Sequence, residues 1–459
     1  MSKRVREIDF LRLKFQEYYL ENKDKVDTPN KIHMREFGIE RWDYAWKCSQ
    51  RTEQDENGKT VSVGCGQSGT TYTKIAACPN CGSSDIQVTN WSRHIGFRSH
   101  DSLIKELVSL APPSVYHSAA YYSYPVARHM HEKQWQGAEL VFDIDADHLE
   151  VECTKDHDSW KCKNKECSET GKGNPPSEGC PSCGGLSFSS RKWVCNNCLG
   201  KAKDNTVKIV DEFLAGDLGI TSEKIVLNYS GHRGYHIRVL DPSVFKLNAH
   251  ARMEIIHHIA GLGFNSQKIV FQQGQGRVIS DRNGMGWAGK TADALVEFIR
   301  NIDSYTGSER WVQPLKKHKS EALEGLLQNP PILSRKVKQV GVKSWQEIAV
   351  LAVANYGGEI DVPVTHDIHR VIRLIGSLNG KTGFEVTCLH RDQIDDFDPF
   401  DDAIAFKEGE LKVRVSEKTI AVPEFRIGDD IFGPYLDQVV ELPMAAAMFL
   451  ICKGVARID

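Results

Sequence analysis

The 459 residues carry 58 basic and 61 acidic side chains, a formal charge of −3 and 13 cysteines, and 40% of them are hydrophobic. That composition excludes a disordered or collagen-like chain, and its neutral total argues neither for nor against a nucleic-acid partner, since a local basic stripe can sit inside it. No apolar run reaches the ~20 residues of a membrane helix and no apolar block follows the charged start, so an intracellular, cytoplasmic chain without a membrane span is expected.

Along the chain, cysteines give the first distinctive feature. Eleven of the 13 fall within 48–81 and 153–198, and clustered C-x2-C pairs in a reducing compartment point to metal rather than disulfides. Cys78-Pro-Asn-Cys81-Gly is one pair, and Cys48 with Cys65 completes a four-ligand zinc site. The plain alternative for Cys48 and Cys65 is ordinary reduced thiols. Next, residues 138–147 (AELVFDIDAD) alternate as a strand, with Leu140, Phe142 and Ile144 on one face and Val141, Asp143 and Asp145 on the other. Two carboxylates at i and i+2 lie about 7 Å apart along a strand. They repel one another unless a hard cation such as Mg2+ or Mn2+ joins them, as in two-metal nucleotidyl transfer. An edge strand with solvated acids is the competing reading.

The second cysteine segment holds two sets. Cys162, Cys167, Cys180 and Cys183 form a compact ribbon, and removing it leaves Cys153 and His157 facing Cys195 and Cys198. Trp160 and Trp193 flank the ribbon as if it had been inserted into one segment. Eleven cysteines with His157 thus make up to three zinc sites of four ligands, each with its coordination filled and therefore structural.

Two β-rich runs at 225–239 flank a polar turn, where Ser230, Arg233 and His236 beside glycine-exposed backbone suit a triphosphate clamp. Residues 243–356 read as mostly helical, with a capping-box pattern at Ser344 and Glu347. Within them Gly284 to Thr291 satisfies the P-loop pattern G-x4-G-K-T. It lacks the buried strand such a loop needs, so a glycine-rich loop capped by a helix is the better reading. In 359–383, Thr365 is placed to cap a helix carrying Ile368, Val371, Ile372 and Ile375. Arg370, Arg373 and Lys381 remain available to anions there, and Asp361 is placed to join the acidic pair as a third metal ligand. The tail after 384 is expected to complete the catalytic body.

Taken in order, AAYYSYPVARHM (119–130), GAELVFDIDADHL (137–149), SGHRGYHIRV (230–239) and PVTHDIHRVIRLIGSLNGKTG (363–383) resemble the small catalytic subunit of archaeal and eukaryotic replicative DNA primases. The wording is nearest the archaeal branch, and MREFGIERW (34–42) and SRHIGF (92–97) extend the likeness, which covers most of 1–240 and 355–390. The resemblance implies an α+β catalytic fold and DNA-templated primer synthesis from nucleoside triphosphates. It also implies a single-stranded DNA template and a large-subunit partner. By residue, it implies that Asp143, Asp145 and Asp361 hold Mg2+ or Mn2+, with Asp367 a rival to Asp361. Ser230, Arg233, His236, Arg373 and Lys381 would meet the nucleotide, and Cys153, His157, Cys195 and Cys198 would be the family's zinc site. Two departures stand out: Asn379 replaces a common family histidine, and the cysteine modules 48–81 and 162–183 are additions.

The expected organisation is a catalytic domain of 1–242 and 357–459, a zinc-binding insertion at 47–90, a zinc region at 153–198 with its ribbon at 161–192, and a helix-rich subdomain at 243–356. The alternatives are a repair or plasmid primase-polymerase of the same superfamily, or an inactive zinc-ribbon nucleic-acid-binding protein.

Overall fold

The computed structural model describes residues 3–54, 60–149, 151–274, 276–334, 336–416 and 420–459; positions 55–59 of the first cysteine-bearing insertion lie outside the described residues. From the N terminus come helix α1 (Lys3–Glu21), strands β1 (Phe37–Cys48), β2 (Ser68–Thr71) and β3 (Ile86–Ile95), helix α2 (His100–Leu110) and strand β4 (Ser114–Ser118). Strand β5 (Leu140–Asp145) leads into the ribbon strands β6 (Ser159–Cys162), β7 (Thr170–Lys172) and β8 (Phe188–Arg191). Helix α3 (Asn196–Lys208) and the hairpin β9 (Ile225–Tyr229) and β10 (Gly234–Val239) follow. Helices α4 (Ala249–Ile259), α5 (Trp287–Arg300), α6 (Val342–Tyr356) and the short α7 (Val362–His366) precede β11 (Val371–Arg373), β12 (Cys388–Leu389) and helix α8 (Met444–Cys452).

Two antiparallel sheets carry the body of this α+β fold. One has five strands in the order β11-β4-β1-β2, with β3 also paired to β1; the other has four, in the order β12-β9-β10-β5. In the second sheet the alternation at 138–147 does what its pattern predicts. Leu140, Phe142 and Ile144 enter the main core with Leu227, Tyr235 and Ile237. Val141 turns the other way, into a small cluster with Ala119, Val364 and Ile372. Register then puts His236 opposite Asp143 and Gly234 opposite Asp145. Gly234 is required there, because a Cβ at that position would stand 1.9 Å from the Ile144 carbonyl oxygen.

The main core runs from α1 to the tail, taking in Val413, Phe425, Phe449 and Val455, so the segment after 384 belongs to it. A second core gathers residues between Val270 and Val353 from α5, α6 and their neighbours. Helix α4 packs with the sheet body instead: Ile259 joins the main core, and Arg252 donates to the carbonyls of Ala138 and Glu139 at 2.9 Å each. Among the described residues no helix is long and apolar enough to cross a membrane.

Two local expectations are corrected. The helix expected from Thr365 onward does not form: α7 is capped by Asp361 and ends at His366 with Thr365 inside it, and Val371–Arg373 form a strand with Ile372 opposite His117. Adjacent β-branched residues at 371 and 372 fit a half-buried pleat, and pairing to β4 overrides the weak helical spacing. Helix α6 is capped by Gly341, with Ser344 already inside its first turn, so Ser344 and Glu347 form no capping box.

Candidate active site and metal centres

The acidic pair sits on β5 with its backbone neighbours already defined by β10. Asp143 Oδ1 lies 3.5 Å from His236 Nε2, and Asp145 Oδ1 lies 3.6 Å from Arg233 Nη2. Asp361 arrives at the start of α7, where its backbone N–H donates to the Asp143 carbonyl oxygen at 3.1 Å and its carboxylate faces His148 Nδ1 at 3.8 Å. The rival Asp367 is occupied in its own turn, accepting the His369 N–H at 2.8 Å. Burial, together with the nearby carboxylates of Asp145 and Asp361, pushes the Asp143 carboxyl up to about 7. Among the described residues the donor sets closed to within 4.8 Å are the cysteine sets below; the three aspartates share one patch without closing to that distance.

The predicted phosphate contacts divide into two groups. Arg233 and Lys381 line one cavity of about 450 Å³, whereas Ser230, His236 and Arg373 do not line it. Ser230 is buried in the turn, its backbone tied to Gly234 at 2.9 Å and its carbonyl accepting from the Asn379 amide at 3.0 Å. The Asn379 carbonyl accepts the Lys381 N–H at 3.0 Å, so this buried asparagine joins the turn at 230–234 to the loop carrying Lys381. His236 is buried, and burial with Arg373 and Arg370 nearby pushes it down to about 3. Arg373 projects from β11 over the Tyr116 ring, 4.7 Å from its centroid, with a buried Nη1 that has no hydrogen-bond partner.

The expected zinc sets all assemble. Their Sγ···Sγ separations are 3.7 Å (Cys48–Cys81) and 3.5 Å (Cys65–Cys78) in the first, and 3.6 Å (Cys162–Cys183) and 3.7 Å (Cys167–Cys180) in the ribbon. The third set has Cys153–Cys198 at 3.3 Å, Cys153–Cys195 at 3.5 Å and Cys198 Sγ to His157 Nε2 at 3.3 Å. A tetrahedron of thiolates around zinc, with Zn–S near 2.3 Å, has edges of about 3.8 Å, so these donor sets fit structural zinc. The glycines after two of the C-x2-C pairs, Gly82 and Gly184, adopt φ of +74° and +69°, a left-handed turn that glycine takes without strain. Outside the third set, Asp158 holds His157 Nδ1 at 2.9 Å and accepts the Trp193 N–H at 2.8 Å, fixing the imidazole through its far nitrogen.

Several residues at the site escaped the sequence reading. Asn228, opposite His236, places its amide nitrogen 3.2 Å from Nδ1; extending the hairpin register would have found it. Lys453, at the end of α8, reaches His232 Nε2 at 3.0 Å, and nothing local in the sequence marks it. Asp147 pairs with Arg233 and lies 3.9 Å from Lys192 of the ribbon segment. The P-loop-like segment holds no phosphate site: Lys290 is ion-paired with Asp217, and Thr291 is buried with its hydroxyl on the Trp287 carbonyl.

Comparison with known proteins follows the same lines. The family model "DNA primase small subunit" matches residues 184–389. The DNA primase small subunit PriS of Methanococcoides burtonii is 31% identical, over 98% of this chain and 97% of the relative. That of Nitrosopumilus maritimus is 27% identical over 98% and 99%, and that of Methanothrix thermoacetophila 31% over 80% and 89%. With its acidic pair, cation-lined cavity and cysteine sets in place, and with likeness along nearly its whole length, the chain belongs to the DNA primase small subunit family.

Proposed function

We propose that this chain is the nucleotidyltransferase of a primase, synthesising primers from nucleoside triphosphates on single-stranded DNA together with a large subunit. The observation that carries the reading is the grouping of Asp143, Asp145 and Asp361, with Asp145 3.6 Å from Arg233, which lines a cavity together with Lys381. A raised Asp143 carboxyl is what a carboxylate cluster built around cations looks like without its countercharge. The three aspartates would hold Mg2+ or Mn2+. When bound, such ions lower the pKa of an attacking 3′-hydroxyl and offset the charge of the triphosphate.

The protein's own groups then position the substrate. Arg233 sits between the acidic strand and the cavity, so a triphosphate anchored at the aspartates passes its guanidinium. His236 stays neutral. With the Asn228 amide donating to Nδ1, its proton lies on Nε2, facing the Asp143 side as a hydrogen-bond donor to phosphate. Asn379 performs the fastening that joins the two phosphate-facing loops without carrying charge. An inactive binding protein has no use for three acids beside a phosphate cavity, since they would repel the ligand.

The test is primer synthesis on single-stranded DNA with labelled nucleotides and Mn2+, by the purified chain alone and with its large subunit. Labelled oligonucleotides from the native chain, and none from the double variant Asp143→Asn with Asp145→Asn, are expected. Equal synthesis by the variant would overturn the reading.

A further inference from the structure

The cavity that Arg233 and Lys381 line does not end at the catalytic sheet. Its lining also includes the inserted zinc ribbon, through Trp160, Lys161 and Lys192, and Lys453 from the end of α8. Among the described residues six cations line it (Lys161, Arg191, Lys192, Arg233, Lys381 and Lys453) against one carboxylate, Asp147, which already pairs with Arg233 and lies near Lys192. Among the described residues neither Lys381 nor Lys453 has a carboxylate within ion-pair distance, and the buried Nε of Arg233 has no acceptor. Lys161, Lys381 and Lys453 thus face the cavity with no carboxylate partner among the described residues, and their like charges favour the entry of a polyanion.

The ribbon's placement is built into the fold. Lys161 is the exposed residue of β6, on a strand whose neighbours Trp160 and Cys162 are buried. Gly171 on β7 sits flat against Trp160, where a Cβ would approach the indole to 2.6 Å. Lys192, just past β8, is held by Asp158 at 3.1 Å and Asn174 at 2.6 Å, tying the ribbon to the residue that also orients His157. The ribbon's cationic edge is thereby fixed in the lining of the cavity that Arg233 shares.

From these positions we infer that the zinc ribbon is a substrate-binding element: Lys161 and Lys192, with Lys381 and Lys453, form a subsite for the terminal phosphates of the nucleoside triphosphate. This rests on the proposed nucleotidyl-transfer reading and extends it. Arg233 both lies 3.6 Å from Asp145 and lines the cavity with these lysines, so a nucleotide held at the aspartates would extend its terminal phosphates past Arg233 toward the ribbon. The site is thereby selective for triphosphate over monophosphate.

The experiment is equilibrium binding of ATP and of AMP, each with Mn2+, to the full-length native chain and to Lys161→Glu combined with Lys192→Gln. Zinc content serves as the check that the ribbon is intact. The expected result is an ATP affinity lower by about tenfold or more, the scale of one charge-assisted hydrogen bond, with AMP affinity unchanged and zinc content equal to native. Lys161→Arg should bind ATP as the native chain does. Unchanged ATP affinity in the double variant at full zinc content overturns the inference. So does an equal loss for AMP, or a loss confined to single-stranded DNA binding, which would assign the ribbon to the template. A native chain that fails to bind ATP overturns the nucleotidyl-transfer reading itself, an outcome the variant comparison keeps separate.

Discussion

The backbone N–H of Asp361 donates to the carbonyl oxygen of Asp143 at 3.1 Å, which fastens the start of α7 to the acidic strand across the whole helical segment between them. This bond uses no side-chain atom, so both carboxylates stay free for cations. Asp361→Asn should therefore leave the fold intact while removing one ligand charge. Primer synthesis is expected to fall by about a thousandfold or more, since cation charge stabilisation is worth several kcal/mol at 1.36 kcal/mol per tenfold. Asp367→Asn, whose carboxylate accepts the His369 N–H in its own turn, should cost far less. Near-equal losses for the two variants would remove Asp361 from the site.

Metal removal should separate the three zinc sets by what they hold. Structural zinc can contribute on the order of 10 kcal/mol to the folding of a small module. The third set clamps the exit of β5 to the start of α3, beside Trp193, which is buried against Phe449 with ring centroids 5.4 Å apart. Cys153→Ser should lower the thermal midpoint of the whole chain. Cys167→Ser should unravel the ribbon alone, and Cys65→Ser only the module at the end of β1. Elemental analysis should find about three zinc per native chain and two in each variant. Calorimetry showing equal midpoint losses for all three would contradict this ranking.

What was legible in the sequence is what short-range chemistry dictates. The cysteine sets could be read because ligand spacing is local, and the acidic strand because alternation of Leu140, Phe142 and Ile144 with Asp143 and Asp145 is a period of two. The error at 365–375 has the same origin. Ile368, Val371, Ile372 and Ile375 offer a short apolar pattern that suits either element, and only pairing with β4 decides it. Lys453 was invisible, because its role depends on α8 folding back beside the turn at His232. The division of the phosphate residues was likewise hidden. Motif order cannot say that Arg233 and Lys381 face the cavity while Ser230 is buried as a tie.

Beneath the active strand, Glu139 is fully buried between Arg35 and Arg238, the latter donating at 2.9 Å. Burial alone would raise its carboxyl, but Arg238 and Arg35 outweigh that and hold it at about 2. A depressed folded-state value means that this stability is fully present above about pH 4.5, the ordinary glutamate range, and is lost as pH falls toward 2. Glu139→Gln leaves two guanidiniums buried against a neutral amide and should destabilise the chain by roughly 3–5 kcal/mol at neutral pH. Its acid-unfolding curve should also lose part of the native chain's dependence between those limits. Denaturant titration at pH 7 and at steps from pH 4.5 down to pH 2.5 checks both; a variant as stable as native at pH 7 would show the pair of arginines to be self-sufficient.

Lys453 gives the site its own pH dependence. Burial first, then the charges of Arg233 and Lys381, push its ammonium down to about 7. For a base lowered in this way, the folded chain sheds the proton more readily than the unfolded one. Stability therefore rises with pH from about 7 toward the ordinary lysine range, and the full penalty of the buried charge is felt below 7. Phosphate binding has the opposite sign, because it needs the charged form. ATP affinity should fall several-fold between pH 7 and pH 9, a range where the terminal phosphate of the nucleotide, with a pKa of about 6, is already ionised. Lys453→Arg keeps its charge throughout and should bind with little slope, whereas Lys453→Met should bind weakly and equally at both ends. A native slope that survives in Lys453→Met would assign the titration to another group.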